Sequence, residues 1–227
     1  MVFRTKLPDT ASVANSQGDE RLISPSAERN STPIVNLVKR IAPETGEALE
    51  IASGTGQHVV KLALSLPSLS WLPSEVEENR LKSISAWIKN ENLPNIKSPL
   101  YLDATEPGWS KIVPQCDFIL LVNLLHLISF NEAKTLIDEL SKSLKKTGIA
   151  LVYGPFMRDG QLTSEGDKNF HYSLIQTDSD IGYKNDLDIL TFFSNSGLVC
   201  LETVEMPANN LAFVFKKDSF TKQLKED

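Results

Sequence analysis

The stretch Leu49-Glu50-Ile51-Ala52-Ser53-Gly54-Thr55-Gly56-Gln57-His58 decides how this chain is read. Its first four residues are apolar apart from one acid, as in a strand covered on both faces. A Gly-x-Gly turn follows, and then Val59, Val60, Leu62, Ala63 and Leu66 recur at helical spacing up to Pro67. Strand, loop and helix in that order set the unpaired N–H groups of a helix start beside a loop that lacks a Cβ at two positions. A nucleotide-like ligand fits there. Gly-x-Gly by itself is equally a simple turn, since so short a motif recurs by chance.

Working outward, residues 25–30 lead into Ile34, Val35, Leu37, Val38 and Ile41, an amphipathic helix stopped near Pro43. Residues 1–24 are polar and turn-rich and read as a poorly ordered extension or a flap. Strands are predicted at residues 48–52, 69–72, 100–102 and 117–122, with a helix carrying Ile84, Trp87 and Ile88 between the second and third. A helix over residues 131–144 should end at Lys145-Lys146-Thr147-Gly148, with cations at its negative end and Gly148 just beyond it. A fifth strand follows at 149–153. Residues 154–182 show no strong period, and an irregular connection of that length predicts a lid or binding loop. A helix at 187–194, a strand at 198–205, the turn Pro207-Ala208-Asn209-Asn210 and a strand at 211–215 close the pattern. The expected fold is α/β and Rossmann-like: a mostly parallel sheet with a C-terminal antiparallel hairpin, one domain over 25–217 and a solvated tail over 218–227.

Composition narrows the function classes. With 227 residues and 41% hydrophobic content, one large α/β domain is favoured over two small ones. A net charge of −6 supplies no basic field for a phosphate backbone, so no nucleic-acid partner is expected. Cys116 and Cys200 are the only cysteines, too few for a disulfide framework or a zinc cluster, and no histidine pair has ligand spacing with a carboxylate, so no metal is expected. No apolar run approaches the ~18 residues of a membrane span, and the first residues lack a signal-peptide core. A cytoplasmic protein is the expectation.

In an open parallel sheet, ligands bind beyond the carboxyl ends of the strands, which directs attention to the residues just after each one. These are Gly54 and Gly56, then Ser74 and Glu75, then Asp103 and Ala104, then Asn123 and His126. Glu75, roughly twenty residues past the glycine loop, is placed to grip ribose hydroxyls, a spacing that also fits a dinucleotide fold. Asp103 before a small residue suits an acceptor for an adenine amino group. His58, in the first turn of a helix, reads as a packing or capping residue, and His171 as a loop residue. His126, given an ordinary imidazole pKa, would serve as a proton acceptor.

Several further segments carry a resemblance. They are Ser26-Ala27-Glu28-Arg29-Asn30 with Pro33-Ile34, the stretch from Leu49 to Val59, Trp71-Leu72-Pro73-Ser74-Glu75, and Ser83-Ile84 with Trp87. Beyond these come Leu102-Asp103 with Trp109, Asn123-Leu124-Leu125-His126, Tyr153-Gly154-Pro155-Phe156, Glu165, Asn169-Phe170 and the turn Pro207-Ala208-Asn209-Asn210. In that order they resemble the methyltransferase-like protein 26 family, within the class I S-adenosylmethionine-dependent methyltransferases. The resemblance implies a seven-stranded sheet and S-adenosylmethionine as cofactor. It places Glu50 as the motif I acid, the loop of Ala52, Gly54 and Gly56 under the amino-acid part, Glu75 at the ribose, and Asp103 and Ala104 at the adenine. Asn123 borders both cofactor and acceptor, while Arg29 and Asn30 close from the amino-terminal side. A small-molecule acceptor is expected among Asn123, His126, Tyr153, Asn209 and Asn210, with His126 or Tyr153 as the catalytic base.

The chain departs from the family in two places. Glu75 stands where an aspartate is usual, and Ile181-Gly182-Tyr183-Lys184-Asn185 stands where Trp-Gly-x-Arg-Asp is usual, which removes an arginine fork and its carboxylate. Two other functions remain open. A nicotinamide-dependent oxidoreductase is opposed by Val59 in place of a third glycine and by the terminal hairpin. A catalytically silent S-adenosylmethionine-binding regulatory protein is made credible by the altered 181–185 segment.

Overall fold

The structure, a computed structural model, describes residues 13–16 and 18–218. The expectations for residues 1–12, 17 and 219–227 lie outside the described residues. The chain opens with a ribbon of β1 (Asn15–Ser16) against β2 (Leu22–Ile23). It continues through α1 (Pro25–Ile41), β3 (Gly46–Ile51), α2 (Gln57–Ser65), β4 (Leu69–Glu75), α3 (Glu78–Glu91), β5 (Leu100–Tyr101) and β6 (Cys116–Val122). Then come α4 (Phe130–Ser143), β7 (Leu144–Met157), α5 (Glu165–Thr177), β8 (Lys184–Asn185), α6 (Asp186–Asn195), β9 (Leu198–Met206) and β10 (Asn210–Lys217).

Period-two alternation explains the layers. In β3 and β6, Leu49, Ile51, Ile119 and Leu121 enter one core, while Ala48, Phe118 and Leu120 enter the other, so the sheet is apolar on both faces. The strand order is β5-β4-β3-β6-β7-β10-β9, with β8 paired to β7 beside this path. Strands β3 to β8 pair in parallel, and β10 runs antiparallel to both its neighbours. This is the predicted α/β architecture. Connections leave β3 in one direction along the sheet and β6 in the other, so a crevice opens at the carboxyl ends of these two strands.

Three local expectations are corrected. Helix α4 stops at Ser143, and the segment 145–148 belongs to β7, which runs well past both ends of the predicted strand. The left-handed residue there is Thr147, at φ 67°, while a Cβ on Gly148 would lie 2.9 Å from Leu144 Cδ2 and 3.1 Å from the Cys116 carbonyl. Gly148 thus answers a close approach within an irregular strand pairing, not a helix stop. The span 154–182 is not irregular, because β7 reaches Met157 and α5 fills much of the rest. Its buried stripe is Asp167, His171 and Leu174, at helical spacing but mostly polar, so hydrophobic periodicity could not reveal it. Within the expected extension, the Leu22 N–H donates to Ser83 Oγ at 2.8 Å and the Leu22 carbonyl accepts from Trp87 Nε1 at 3.1 Å, which fastens β2 to α3.

Candidate active site

The turn after β3 is built from left-handed residues, with Ala52 at φ 53°, Gly54 at 57° and Gly56 at 91°. The two glycines serve different ends. A Cβ on Gly56 would come within 3.0 Å of Ile84 Cα, so its absence lets α3 pack onto the loop. A Cβ on Gly54 would meet only Arg80 Nη1, at 3.5 Å, beside the cavity that Gly54 lines. The Gly54 N–H donates to Glu75 Oε2 at 2.9 Å, and Glu75 Oε1 accepts from the Val76 N–H at 2.8 Å. Burial raises the Glu75 pKa, and these N–H donors together with Arg80 work against the rise.

Beneath the loop, Glu50 is 1% exposed. Burial pushes its pKa up to about 8, the Glu75 charge adds to the rise, and hydrogen bonds from Ser53 and the Val59 N–H oppose it. Its Oε2 has no hydrogen-bond partner among the described residues.

A cavity of about 210 Å³ lies at the crevice. The glycine loop, Glu75 to Glu77 with Arg80, and Val122 to Leu124 with Leu127 line it on three sides. Ser24, Ser26, Ala27 and His58 line the fourth. Asn123 ends β6 as Ala52 ends β3, with a left-handed φ of 57°, and its N–H donates to the Tyr153 carbonyl at 2.9 Å. Glu77 pairs with Arg80 at 3.0 Å, which leaves Glu75 as the acid of this rim closest to the loop backbone.

One wall is a polar chain. His58 Nε2 lies 2.8 Å from Asn30 Oδ1, and the Asn30 side chain also hydrogen-bonds the Tyr153 hydroxyl. Burial, with Lys61 adding, lowers the His58 pKa to about 4, and burial raises the Tyr153 pKa to about 12. Asn30 and Tyr153 are therefore brought together behind His58, and neither lines the cavity. Arg29 lies on the exposed side of α1.

The remaining sequence candidates are spread more widely. His126 packs edge-on against Phe170 and Tyr183, with centroids 5.7 and 6.2 Å away. Burial, then Lys184, lowers its pKa to about 3. Its expected role as a base rested on an ordinary imidazole pKa, and this environment removes that premise. Tyr153, held protonated, likewise cannot supply a base at neutral pH. Asp103 turns back on its own loop, where Oδ1 accepts from the Thr105 N–H at 2.9 Å, and the Ala104 carbonyl accepts from Trp109 Nε1 at 3.0 Å. Asn209 and Asn210 form the β9–β10 turn; Asn209 Nδ2 donates to Asp167 Oδ2 at 3.0 Å, and Asn210 Nδ2 bonds the Pro207 carbonyl at 2.9 Å.

Sequence reasoning overlooked five contributors. Ser24 and Ala27 border the cavity because α1 starts there, and Arg80 could have been found in the first turn of the helix that follows Glu75. Asp167 is a buried hub that accepts from Thr163 and Ser164 hydroxyls at 2.7 Å, from the Tyr183 hydroxyl at 3.1 Å and from Asn209. Lys184, in the divergent 181–185 segment, is buried and donates to the Ile128 carbonyl at 2.6 Å and the Gly182 carbonyl at 3.1 Å.

Comparison with solved structures agrees with this architecture. An O-methyltransferase family protein from Burkholderia thailandensis superposes with a TM-score of 0.72 at 15% identity, covering 84% of this chain and 57% of that one. A putative O-methyltransferase from Nostoc punctiforme gives 0.72 at 18% identity, with 82% and 56% covered. Human N-acetylserotonin methyltransferase, whose structure holds S-adenosylmethionine, gives 0.64 at 13% identity, with 76% and 48% covered. The chain thus spans roughly half the length of these proteins, and at such identities the likeness is one of fold: the class I methyltransferase sheet. Among the described residues, no helix is long and apolar enough to cross a membrane. The sequence profile of a family described as a protein of unknown function, DUF938, matches residues 21–217, and the chain belongs to that family.

Proposed function

We propose that the chain is an S-adenosylmethionine-dependent methyltransferase acting on a small molecule in the cytoplasm, akin to the methyltransferase-like protein 26 family. One observation carries this reading. At the switch point of a methyltransferase-type sheet, the Gly54 N–H and the Glu75 carboxylate meet at 2.9 Å on the wall of a cavity. The solved methyltransferases with the same fold, one of them holding S-adenosylmethionine, support it.

The residues present fit such a cofactor. Gly54 leaves room where a side chain would project, Glu75 has a carboxylate for a ribose diol, and Ala52 and Asn123 turn the backbone sharply at the cavity edge. When bound, the cofactor supplies an electrophilic sulfonium methyl. The protein's share is to orient the acceptor and exclude water, with Leu124, Leu127 and Val122 as the apolar wall.

Neither His126 nor Tyr153 lines the cavity, and burial weakens His126 as a proton acceptor, which favours an acceptor that arrives as a nucleophile, such as a thiolate. The same observation supports a second reading, a silent S-adenosylmethionine-binding protein. Calorimetry with S-adenosylhomocysteine and NADH tests the cofactor: binding of the first and not of the second is expected, and the reverse overturns the proposal. Transfer of a labelled methyl group into a small-molecule extract separates the enzyme from the silent binder.

A further inference from the structure

His58 was expected to be a packing or capping residue, and its surroundings assign it more. It lies in the first turn of α2, directly after the glycine loop, is 7% exposed and borders the cavity. Among the described residues, the hydrogen bond of its ring is the one from Nε2 to Asn30 Oδ1. A carboxamide oxygen only accepts, so Nε2 carries the ring proton and Nδ1 is left as a bare acceptor. In this orientation the other end of the Asn30 carboxamide engages the Tyr153 hydroxyl, so both ends of the side chain are used. The positive end of the α2 dipole, the nearby Lys61 and burial all disfavour the imidazolium form. A side chain this deeply buried that keeps one acceptor free beside a cavity is arranged for a donor on the ligand.

The position on the loop selects the donor. Glu75 holds the glycine loop at Gly54, on the ribose side, whereas His58 lies past the loop in α2, bonded to Asn30 of α1. We propose that His58 reads the amino-acid end of the cofactor, with Nδ1 accepting a hydrogen bond from the ligand's α-ammonium group and Asn30 holding the ring in the tautomer that permits it. This rests on the reading that S-adenosylmethionine occupies the cavity. His58 is then a ligand contact, and Asn30 is a positioning residue that acts through it.

The test compares ligands that differ only at that end. S-adenosylhomocysteine carries the amino acid; its deamino analogue lacks only the ammonium; 5′-methylthioadenosine keeps the nucleoside and thioether alone. His58→Ala should weaken S-adenosylhomocysteine tenfold or more and leave 5′-methylthioadenosine within twofold. The deamino analogue should bind wild type about as weakly as S-adenosylhomocysteine binds the variant, and should be indifferent to the substitution. Equal losses for all three ligands, or a deamino analogue that still depends on His58, overturn the proposal. Should His58→Ala misfold, His58→Gln and the ligand series on wild type carry the same comparison, and equal wild-type affinities for the deamino analogue and S-adenosylhomocysteine overturn it. Asn30→Ala should reproduce the pattern more weakly and mix the two ring tautomers in nitrogen-15 spectra; an unmoved tautomer removes Asn30 from the argument. If wild type binds none of the three, it is the cofactor reading that fails, which is distinct from a His58-independent affinity.

Discussion

Glu75 Oε2 accepts the Gly54 N–H at 2.9 Å, so the acid that ends β4 clasps the glycine that follows the neighbouring strand β3. The glycine loop therefore takes its shape from a side chain that also faces the cavity, and ligand affinity and loop geometry are linked through one carboxylate. Glu75→Ala should weaken S-adenosylhomocysteine binding by about 1–3 kcal/mol, the scale of a lost charged hydrogen bond. Calorimetry that finds the affinity unchanged would remove the ribose assignment.

The two loop glycines should separate binding from stability. Gly54→Ala costs about 1–2 kcal/mol of backbone strain and abolishes cofactor binding, since the added methyl lies beside the cavity. Gly56→Ala carries similar strain and also presses on Ile84, so its loss of melting temperature should be the larger. Thermal melts and ligand titrations on both variants check the order.

Glu50 gives the fold a definite response to alkali. Its folded pKa, about 8, lies above the ordinary 4.5, so the native state binds the extra proton between these values. Stability from this group is present at low pH and is lost as pH rises toward 8, with a slope of up to about 1.4 kcal/mol per pH unit. Glu50→Gln keeps a neutral acceptor for the Val59 N–H and should flatten that decline in urea titrations between pH 5 and 8. An unaltered slope would mean that the carboxyl is ionised in the fold.

His126 acts in the opposite direction. With a folded pKa of about 3 against an ordinary 6.5, it costs stability as pH falls from 6.5 toward 3, because the unfolded chain takes up the proton first. His126→Phe keeps the aromatic packing against Phe170 and Tyr183 and should lose part of the acid-limb slope. Denaturation at a series of pH values between 4 and 7 measures the difference.

Asp167 joins helix α5 to the hairpin turn through Asn209. Asp167→Ala strands several buried donors and should cost about 1–3 kcal/mol, with faster amide exchange concentrated in α5 and at residues 207–210. Exchange rates that stay unchanged in α5 would show that apolar contacts alone hold the helix.

The strand, glycine loop and helix around Gly54 were legible because each carries its own local signal: an apolar run, a Cβ-free turn and a 3.6-residue period. Helix α5 was hidden because Asp167 and His171 occupy its buried face, so burial there is polar and depends on partners distant in sequence. The pairing of Asn30 with His58 was hidden for the same reason, since α1 and α2 meet only in the fold. His126 misled because its position after β6 was legible and its protonation was not: the rings of Phe170 and Tyr183 that enclose it come from α5 and the segment beyond it.

Strand β10, translated after its sheet neighbours β7 and β9, sits in the interior of the sheet between them. A nascent chain that has not yet delivered residues 210–217 leaves residues 149–155 of β7 as an open edge, together with the cores that Phe213 and Val214 would fill. Completion of the sheet must therefore wait until translation has passed this strand. Any polypeptide that stops before Asn210 is left with a sticky, unpaired border and becomes a substrate for chaperones and proteases instead of a smaller version of the same protein.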